Sequence, residues 1–464
     1  MEAILLIDFG STNTKVTAVD PAEKTLRGTA AAYTTVETDI GEGLEEALEL
    51  LRKETGPVSF TRRFACSSAA GGLRMIASGL VPSLTAEAAR LAALGAGAKI
   101  AGVYSYELTG EDLAEIVRIK PDIFLLTGGV DGGNKECILH NAHMLASLGA
   151  PGPFPVLIAG NRSAQAGCAA ALAGWDVIRC PNVLPKLGTL NVEPAQAEIR
   201  RLFLERIIHA RGLSRERELV SGILMPTPAA VKRALELLSA GTAGEAGLGE
   251  LAAVDLGGAT TDVYSAASGM PRVDAILKGI PEPFSKRTVE GDIGMRYSAA
   301  GVLEAAGPER LAALSGLAAG DIPGMVARLA ANPGVLPVTA EDAGLDFALA
   351  AAAVETAMDR HAGTIEEVYT PAGPAFVQTG KDLTGVERLI LTGGAAIHSR
   401  EAKKTARYAL FTAAKAASLK PSPNSAIFID TSYILAAMGL LAETQPGAAL
   451  SIMKKEIKNH GTCE

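Results

Sequence analysis

Cysteine is thinly spread in this sequence, at Cys66, Cys137, Cys168, Cys180 and Cys463, and no two of the five form a CxxC pair. That spacing argues against zinc ribbons, iron–sulfur clusters and disulfide frameworks, and it leaves a cytoplasmic protein with reduced thiols as the expectation. Basic stretches are missing as well. With a net charge of -8 and nothing concentrated to offset it, neither nucleic acid nor an anionic membrane is expected as a partner. No segment reaches the uninterrupted apolar length of a membrane span. The early run AILLI is broken by Asp8 and has no basic flank, so it reads as neither signal peptide nor anchor. Aromatic residues make up only 4% of the chain, and no short-period repeat or low-complexity segment is visible.

What is present is glycine, at 50 positions, in a chain that is 48% hydrophobic and 20% charged, the composition of an Ala/Gly/Leu-rich globular protein. A length of 464 residues predicts roughly two to four folding units. Apolar runs bounded by Gly, Asn or Pro alternate with longer amphipathic segments, the α/β signature. Strands are expected at 98–105, 121–129, 155–161 and 176–182, with helices near 110–119, 135–148 and 162–173, which together make a parallel, doubly wound block. The small-residue stretch at 239–250 reads as a linker or loop. After it come a strand and turn at 251–262, an irregular Pro-rich stretch to about 290, then helices, a strand with a double-glycine turn at 388–397 and a last helix at 431–443.

Two stretches are alike. DFGSTNTK (8–15) and DLGGATTD (255–262) each put an Asp at the end of an apolar run, then glycine, then a crowd of hydroxyl side chains. Glycine lets backbone N–H groups approach an oxyanion, hydroxyls add donors, and the carboxylate can hold Mg2+ through its waters. Two such loops can grip a triphosphate from opposite sides, and phosphoryl chemistry needs mainly positioning and charge neutralisation. Either loop alone is equally an ordinary polar β-turn; the pair, followed by the LTGGAAI turn (391–397), is more specific.

In that order, DFGSTNTK, DLGGATTD and LTGGAAI resemble the first phosphate, second phosphate and adenosine motifs of the actin, sugar-kinase and Hsp70 superfamily. The resemblance implies an α/β, two-lobed actin/Hsp70-like (ribonuclease H-like) ATPase fold with an inserted parallel α/β block in the first lobe. Its lobes would be 1–238, with the block at 98–182, and 251–425, with 426–464 as a C-terminal helix returning to the first lobe. ATP and Mg2+ are the implied cofactors. Asp8 and Asp255 would be the magnesium-side carboxylates. Gly10, Ser11, Thr12, Asn13 and Thr14 would form the first phosphate turn, with Lys15 as a phosphate contact. Gly257, Gly258, Thr260 and Thr261 would form the second. Asp262 would orient the attacking water or cap the hairpin. Gly393 and Gly394 would approach the adenosine, and VEGDIGMR (289–296) would supply a helix start with Gly291 and Asp292 at its N-terminus.

Within the superfamily, LLTGGVDGGNKECILHNAHMLA (125–146), RTVEGDIGMR, GILMPTPAAV and TSYILAAMGLL resemble the accessory proteins of adenosylcobalamin-dependent glutamate mutase and related aminomutases, called GlmL or MutL. That implies an ATPase that maintains or reactivates the mutase, whose subunits would be its partners, by releasing damaged cobalamin; the accessory protein itself would be a monomer or a homodimer. DRHAG (359–363) is one residue short of a base-off corrinoid turn, so Asp359 and His361 read as surface residues. His140 and His143 share a helical face and read as half-exposed surface, while Lys135 is the cation of the DGGNKE loop, which would bind an anion or cover a sheet edge. The alternatives are a small-molecule kinase, an actin-like nucleotide-dependent scaffold, and an activator of 2-hydroxyacyl-CoA dehydratases, the last opposed by the dispersed cysteines.

Overall fold

The computed structural model describes residues 3–10, 12–34, 40–68, 73–210, 223–371, 373–397, 399 and 401–459. The chain forms two compact units. The first is built from the residues up to Arg233 with Gly279–Pro281 and Ala436–Ala448; the second from Ala234–Lys278, Glu282–Leu435 and the residues from Ala449 onward.

The sheet of the first unit starts from a meander, β1 (Ala3–Phe9), β2 (Asn13–Asp20) and β3 (Thr25–Tyr33), then adds β4 (Phe60–Ser67) and β10 (Ile223–Pro226). Its order is β10-β4-β1-β2-β3, antiparallel within the meander and parallel from β1 through β4 to β10. β1 is buried at all seven positions, which is why a central strand reads as an unbroken apolar run. Its Leu5, Ile7 and Phe9 pack with Leu44, Ala47 and Leu51 from one face of the helix Ile40–Thr55, spaced at three and four residues as an amphipathic helix requires.

Between β4 and β10 lies the inserted block: β5 (Arg74–Gly79), β6 (Lys99–Ser105), β7 (Ile123–Leu126), β8 (Val156–Ile158) and β9 (Val177–Arg179), all parallel, in the order β6-β5-β7-β8-β9. Successive residues feed opposite faces. Met75, Ala77, Ile123, Leu125 and Leu157 pack on one side, and Ile76, Phe124, Leu126, Val156 and Ile158 on the other. The four expected strands and three helices are all there, but the block begins earlier than position 98, because β5 is its second strand in space. That strand exposes almost nothing and shows no alternation in sequence, so its short run offered no period to read.

The second unit repeats the first sheet. β13 (Leu251–Leu256), β14 (Thr261–Ala266) and β16 (Ser285–Glu290) form the meander, and β19 (Arg388–Thr392) and β20 (Ala426–Ile429) join β13 in parallel, with β21 (Lys458–Asn459) antiparallel at the edge. The helix Ala340–His361 covers one face; Thr339 and Asp342 close its start as a reciprocal capping box. Three expectations are corrected. The segment 426–464 is not one helix, nor is the helix expected at 431–443 the last: β20, the helices Leu435–Ala442 and Pro446–Glu456, and β21 follow one another there. The stretch at 239–250 contains a small hairpin, β11 (Gly241–Thr242) with β12 (Glu245–Ala246), formed from glycines that packed backbone permits and periodicity does not reveal. The Pro-rich stretch before 290 holds β15 (Ala275–Lys278) and β16; β15 joins β17 (Thr364–Thr370) and β18 (Gly373–Thr379) in a separate three-stranded sheet. Among the described residues no helix is long and apolar enough to cross a membrane.

Candidate functional site

The two Asp–Gly stretches are hairpin turns of one geometry. In the first unit the Gly10 N–H donates to the Asn13 carbonyl at 3.1 Å; in the second, the Gly257 N–H donates to the Thr260 carbonyl at 3.0 Å. A Cβ on Gly10 would lie 2.5 Å from Asn13 O, and one on Gly257 would lie 2.8 Å from Thr260 O, so both turns close only around glycine. The flanking pairs also correspond. Phe9 faces Thr14 and Asp8 faces Lys15; Leu256 faces Thr261 and Asp255 faces Asp262. Ser11 lies outside the described residues.

Around Asp8, which is 5% exposed, three side chains converge. Lys15 Nζ stands 3.2 Å from Oδ2, Thr227 Oγ1–H donates to Oδ1 at 2.6 Å, and the Cys66 thiol donates to Oδ1 at 3.5 Å. Burial, with the Asp8 charge next, pushes the Cys66 thiol far above its usual range, so it is a neutral donor. Thr14 is turned away, its hydroxyl 3.1 Å from that of Thr34, while Thr12 accepts the Thr34 N–H through its carbonyl and Asn13 is exposed. Neither Cys66 nor Thr227 carries a sequence signal toward Asp8. They reach it because β4 and β10 are the next strands in the sheet, Cys66 pairing directly with Asp8.

The second turn is held from outside. Gly257 O accepts the Met295 N–H at 3.0 Å, and Gly258 O accepts those of Arg296 at 2.8 Å and Tyr297 at 3.0 Å. Gly294 makes this contact: a Cβ there would lie 2.5 Å from the Ala259 carbonyl carbon. The segment around 289–296 therefore does lie against the turn, but as irregular backbone. The helix begins only at Ala299, so Gly291 and Asp292 are not at its N-terminus. Gly291-Asp292-Ile293-Gly294 cannot start the helix because Gly294 is committed to the turn and Ile293 O accepts the Thr261 hydroxyl at 3.0 Å. Asp292 instead pairs with Arg360 at 3.1 Å, which also holds Glu290 at 2.6 Å. Burial raises the Glu290 carboxyl above its ordinary range, with Arg360 opposing the shift.

Asp262 is engaged by the buried Arg287, whose Nη2 and Nε lie 2.6 and 2.8 Å from Oδ1, and Thr260 Oγ1–H donates to Oδ2 at 3.3 Å. Gly393 approaches the start of the second turn from the β19 side. With φ +102°, it passes so near β13 that a Cβ would fall 2.3 Å from Leu256 O, and Gly394 then opens the short helix Gly394–Ile397 with free space about it.

Other singled-out residues do not join these turns. His361 is fully buried, a correction to the surface reading: its ring lies 2.8 Å from the Thr288 hydroxyl and 2.9 Å from that of Ser265, because the end of the helix Ala340–His361 packs on β14 and β16. Asp359 pairs with Lys415 and Lys420. His140 sits 3.1 Å from the Leu108 carbonyl and His143 is exposed. The DGGNKE loop is pinned by Asn161, which accepts the Gly132 N–H and donates to the Gly133 and Asn134 carbonyls. Among the described residues no three His, Cys, Asp or Glu side chains form a metal cluster.

A five-stranded meander-plus-parallel sheet, present twice and carrying one kind of Asp–Gly turn at the same place each time, defines a duplicated ribonuclease H-like α/β protein of the two-lobed class expected above. The chain belongs to the MutL protein family, whose description it matches over residues 4–457. It is 48% identical over 460 residues to Protein MutL of Clostridium tetanomorphum, an alignment covering 98% of this chain and 99% of the relative. Among solved structures, a diol dehydratase-reactivating factor in nucleotide-free form is 12% identical, covering 96% of this chain and 100% of its own, at a TM-score of 0.36. The activator of 2-hydroxyisocaproyl-CoA dehydratase from Clostridium difficile with bound ADPNP is 11% identical over 99% of this chain and 100% of its own, at 0.34.

Proposed function

We propose that this protein is an ATPase that maintains or reactivates an adenosylcobalamin-dependent aminomutase such as glutamate mutase, with Mg-ATP drawing its two units together. The observation that carries this reading is the repeated turn: two Asp–Gly hairpins of one geometry, each at the end of the first strand of the same kind of sheet, a turn type whose glycines let backbone approach an oxyanion. Asp8 and Asp255 would hold Mg2+. The donor set fits that ion, since each turn offers one strand-end carboxylate, a hard oxygen donor of the kind Mg2+ takes alongside phosphate oxygens and water. Mg2+ would neutralise charge on the phosphates. Lys15, which pairs with Asp8 here, would be released toward phosphate once the metal takes the carboxylate. Gly393 and Gly394 would border the adenosine.

A chaperone-like cycle follows if the partner binds one nucleotide state better than the other. The test is recovery of mutase activity after inactivation with tightly bound hydroxocobalamin. Recovery should require hydrolysable ATP and should vanish in Asp8→Ala and Asp255→Ala, both of which should keep the wild-type far-ultraviolet circular dichroism. Normal turnover in the double variant would refute the site, and small-angle scattering unchanged by an ATP analogue would refute the closure.

A further inference from the structure

The sheet of β15, β18 and β17 is only partly covered by the rest of the protein, with Gln378 its one buried side chain among the described residues. Cross-strand register puts Phe376 opposite Glu367, and Tyr369 opposite Pro374, on one face, with Ile276 opposite Val377 on the other. Exposures of 46% for Phe376, 84% for Tyr369 and 61% for Ile276 show that both faces reach solvent, and no residue of the sheet belongs to the unit's core. β17 is an edge strand. Its start is already paired on the outer side, where the Ile365 N–H donates to the Ala417 carbonyl at 2.8 Å. Outward and inward groups alternate along a strand, so the N–H and C=O groups of Glu367 and Tyr369 also point outward. Pro374, opposite Tyr369, fits that phase, because a residue with no N–H belongs at a pair that exchanges no hydrogen bonds across the ladder. Among the described residues those outward groups have no backbone partner, and the exposed carboxylates of Glu366 and Glu367 form no ion pair.

We propose that the outer edge of β17 docks an extended segment of a partner polypeptide, a basic pair within an apolar run, by adding it as a further strand. The open ladder supplies main-chain hydrogen bonds, and alternate side chains supply specificity. Consecutive carboxylates at Glu366 and Glu367 project to opposite faces, so the matching strand carries two consecutive cations, flanked by residues that cover Tyr369 and Val368. The same carboxylates disfavour a second copy of this chain, whose edge would bring further glutamates alongside them.

The proposal is tested by fluorescence anisotropy with the full chain and the labelled peptide Thr-Val-Lys-Lys-Val-Tyr-Thr, beside its counterpart with Glu in place of Lys. The lysine peptide should bind. The variant Glu366→Lys with Glu367→Lys, on a surface that leaves the fold unaltered, should lose affinity by about tenfold or more and prefer the glutamate peptide. N-methylation of alternate peptide amides should abolish binding, and hydrogen exchange should show new protection at 366–369. Absence of lysine-peptide binding up to about 1 mM, or binding indifferent to charge reversal or N-methylation, overturns the proposal. Dimerisation of the free chain that the double variant abolishes also overturns it, assigning the edge to a second copy. The readout is independent of ATP: Asp8→Ala should bind the peptide unchanged.

Discussion

Asp262 is the residue for which geometry and sequence reading lead to opposite experiments. If its carboxylate orients a water, Asp262→Asn removes hydrolysis and spares the fold. The structure ties it to the fold. Its side chain is 12% exposed and that of Arg287 is 5% exposed, and two guanidinium nitrogens approach Asp262 Oδ1 within 2.6 and 2.8 Å. Burial works against the Arg287 charge, yet Asp262 and Tyr264 together outweigh it and hold the guanidinium above its ordinary pKa. Removing one charge of such a pair leaves the other uncompensated, at a cost of about 3–5 kcal/mol. Asn still offers an amide oxygen, so the lower figure applies, and with m of about 2–3 kcal/mol per molar urea the transition moves down by about 1–1.5 M. The chain provides an internal control, because its single Trp, Trp175, is buried in the inserted block of the first unit. In Asp262→Asn the circular dichroism transition should split, with the second unit melting early, while the Trp175 fluorescence transition stays in place. An unshifted second unit with lost hydrolysis would refute the reasoning and return Asp262 to the chemistry.

Thr227→Val deletes the donor 2.6 Å from Asp8 and should lower Mg-ATP hydrolysis about tenfold with the fold intact, near the low end of the ~1.5–3 kcal/mol of a hydrogen bond to a charged group; a rate within twofold of wild type speaks against it. Gly294→Ala drives a Cβ to 2.5 Å from the Ala259 carbonyl carbon and should weaken nucleotide binding by roughly tenfold or more in calorimetry, whereas Gly320→Ala, with nothing within 4 Å, should not. Burial raises the thiols of Cys137 and Cys168 to about 11 and that of Cys180 to about 12, from an ordinary 9.0. The folded state thus holds these protons more tightly: the contribution is complete below pH 9 and is lost as pH rises toward 11–12. Stability against denaturant, followed by Trp175, should fall over that window, and less so after Cys→Ala replacement at all three positions.

The strands of the inserted block were legible because parallel strands covered on both faces are written as apolar runs between turn residues, and the alternation with helices follows from their crossovers. β5 was not, since six residues with no flanking period carry no such signature. β15 and β17 were missed for the opposite reason. A sheet exposed on both faces has no buried side to impose alternation, so Ala275–Lys278 and Thr364–Thr370 look like loop and charge. His361 shows a third limit: a helix end reads as surface until the strands it packs on are known, and here Ser265 and Thr288 close on both ring nitrogens.

The hairpin bonds of the two turns could be read because each spans only a few residues, Gly10 to Asn13 and Gly257 to Thr260; the backbone of 294–297 that holds the second turn from outside could not. Neither could the groups that govern the carboxylates. Yet the duplicated connectivity predicts where to find them. In a sheet of this order the ends of the first, fourth and fifth strands lie side by side, so the residue beside Asp8 on β4 and the one just past β10 must meet it; they are Cys66 and Thr227. The corresponding positions in the second unit are Thr392, paired with Asp255 on β19, and Asp430, just past β20. These two are joined by a 3.0 Å hydrogen bond, and Asp430, fully buried, accepts the N–H groups of Ile434 and Leu435 at 3.0 and 3.2 Å. The two units therefore share the positions but not the chemistry. In the first, a thiol and a hydroxyl both donate to the strand-end carboxylate; in the second, the hydroxyl is spent on a carboxylate that caps a helix. Asp8 thereby keeps two neutral donors beside the Lys15 ammonium, whereas Asp430 is committed to holding the backbone at the end of β20. A substitution at Thr227 should consequently register in catalysis, and one at Asp430 in stability, although the two occupy the same place in the duplicated sheet.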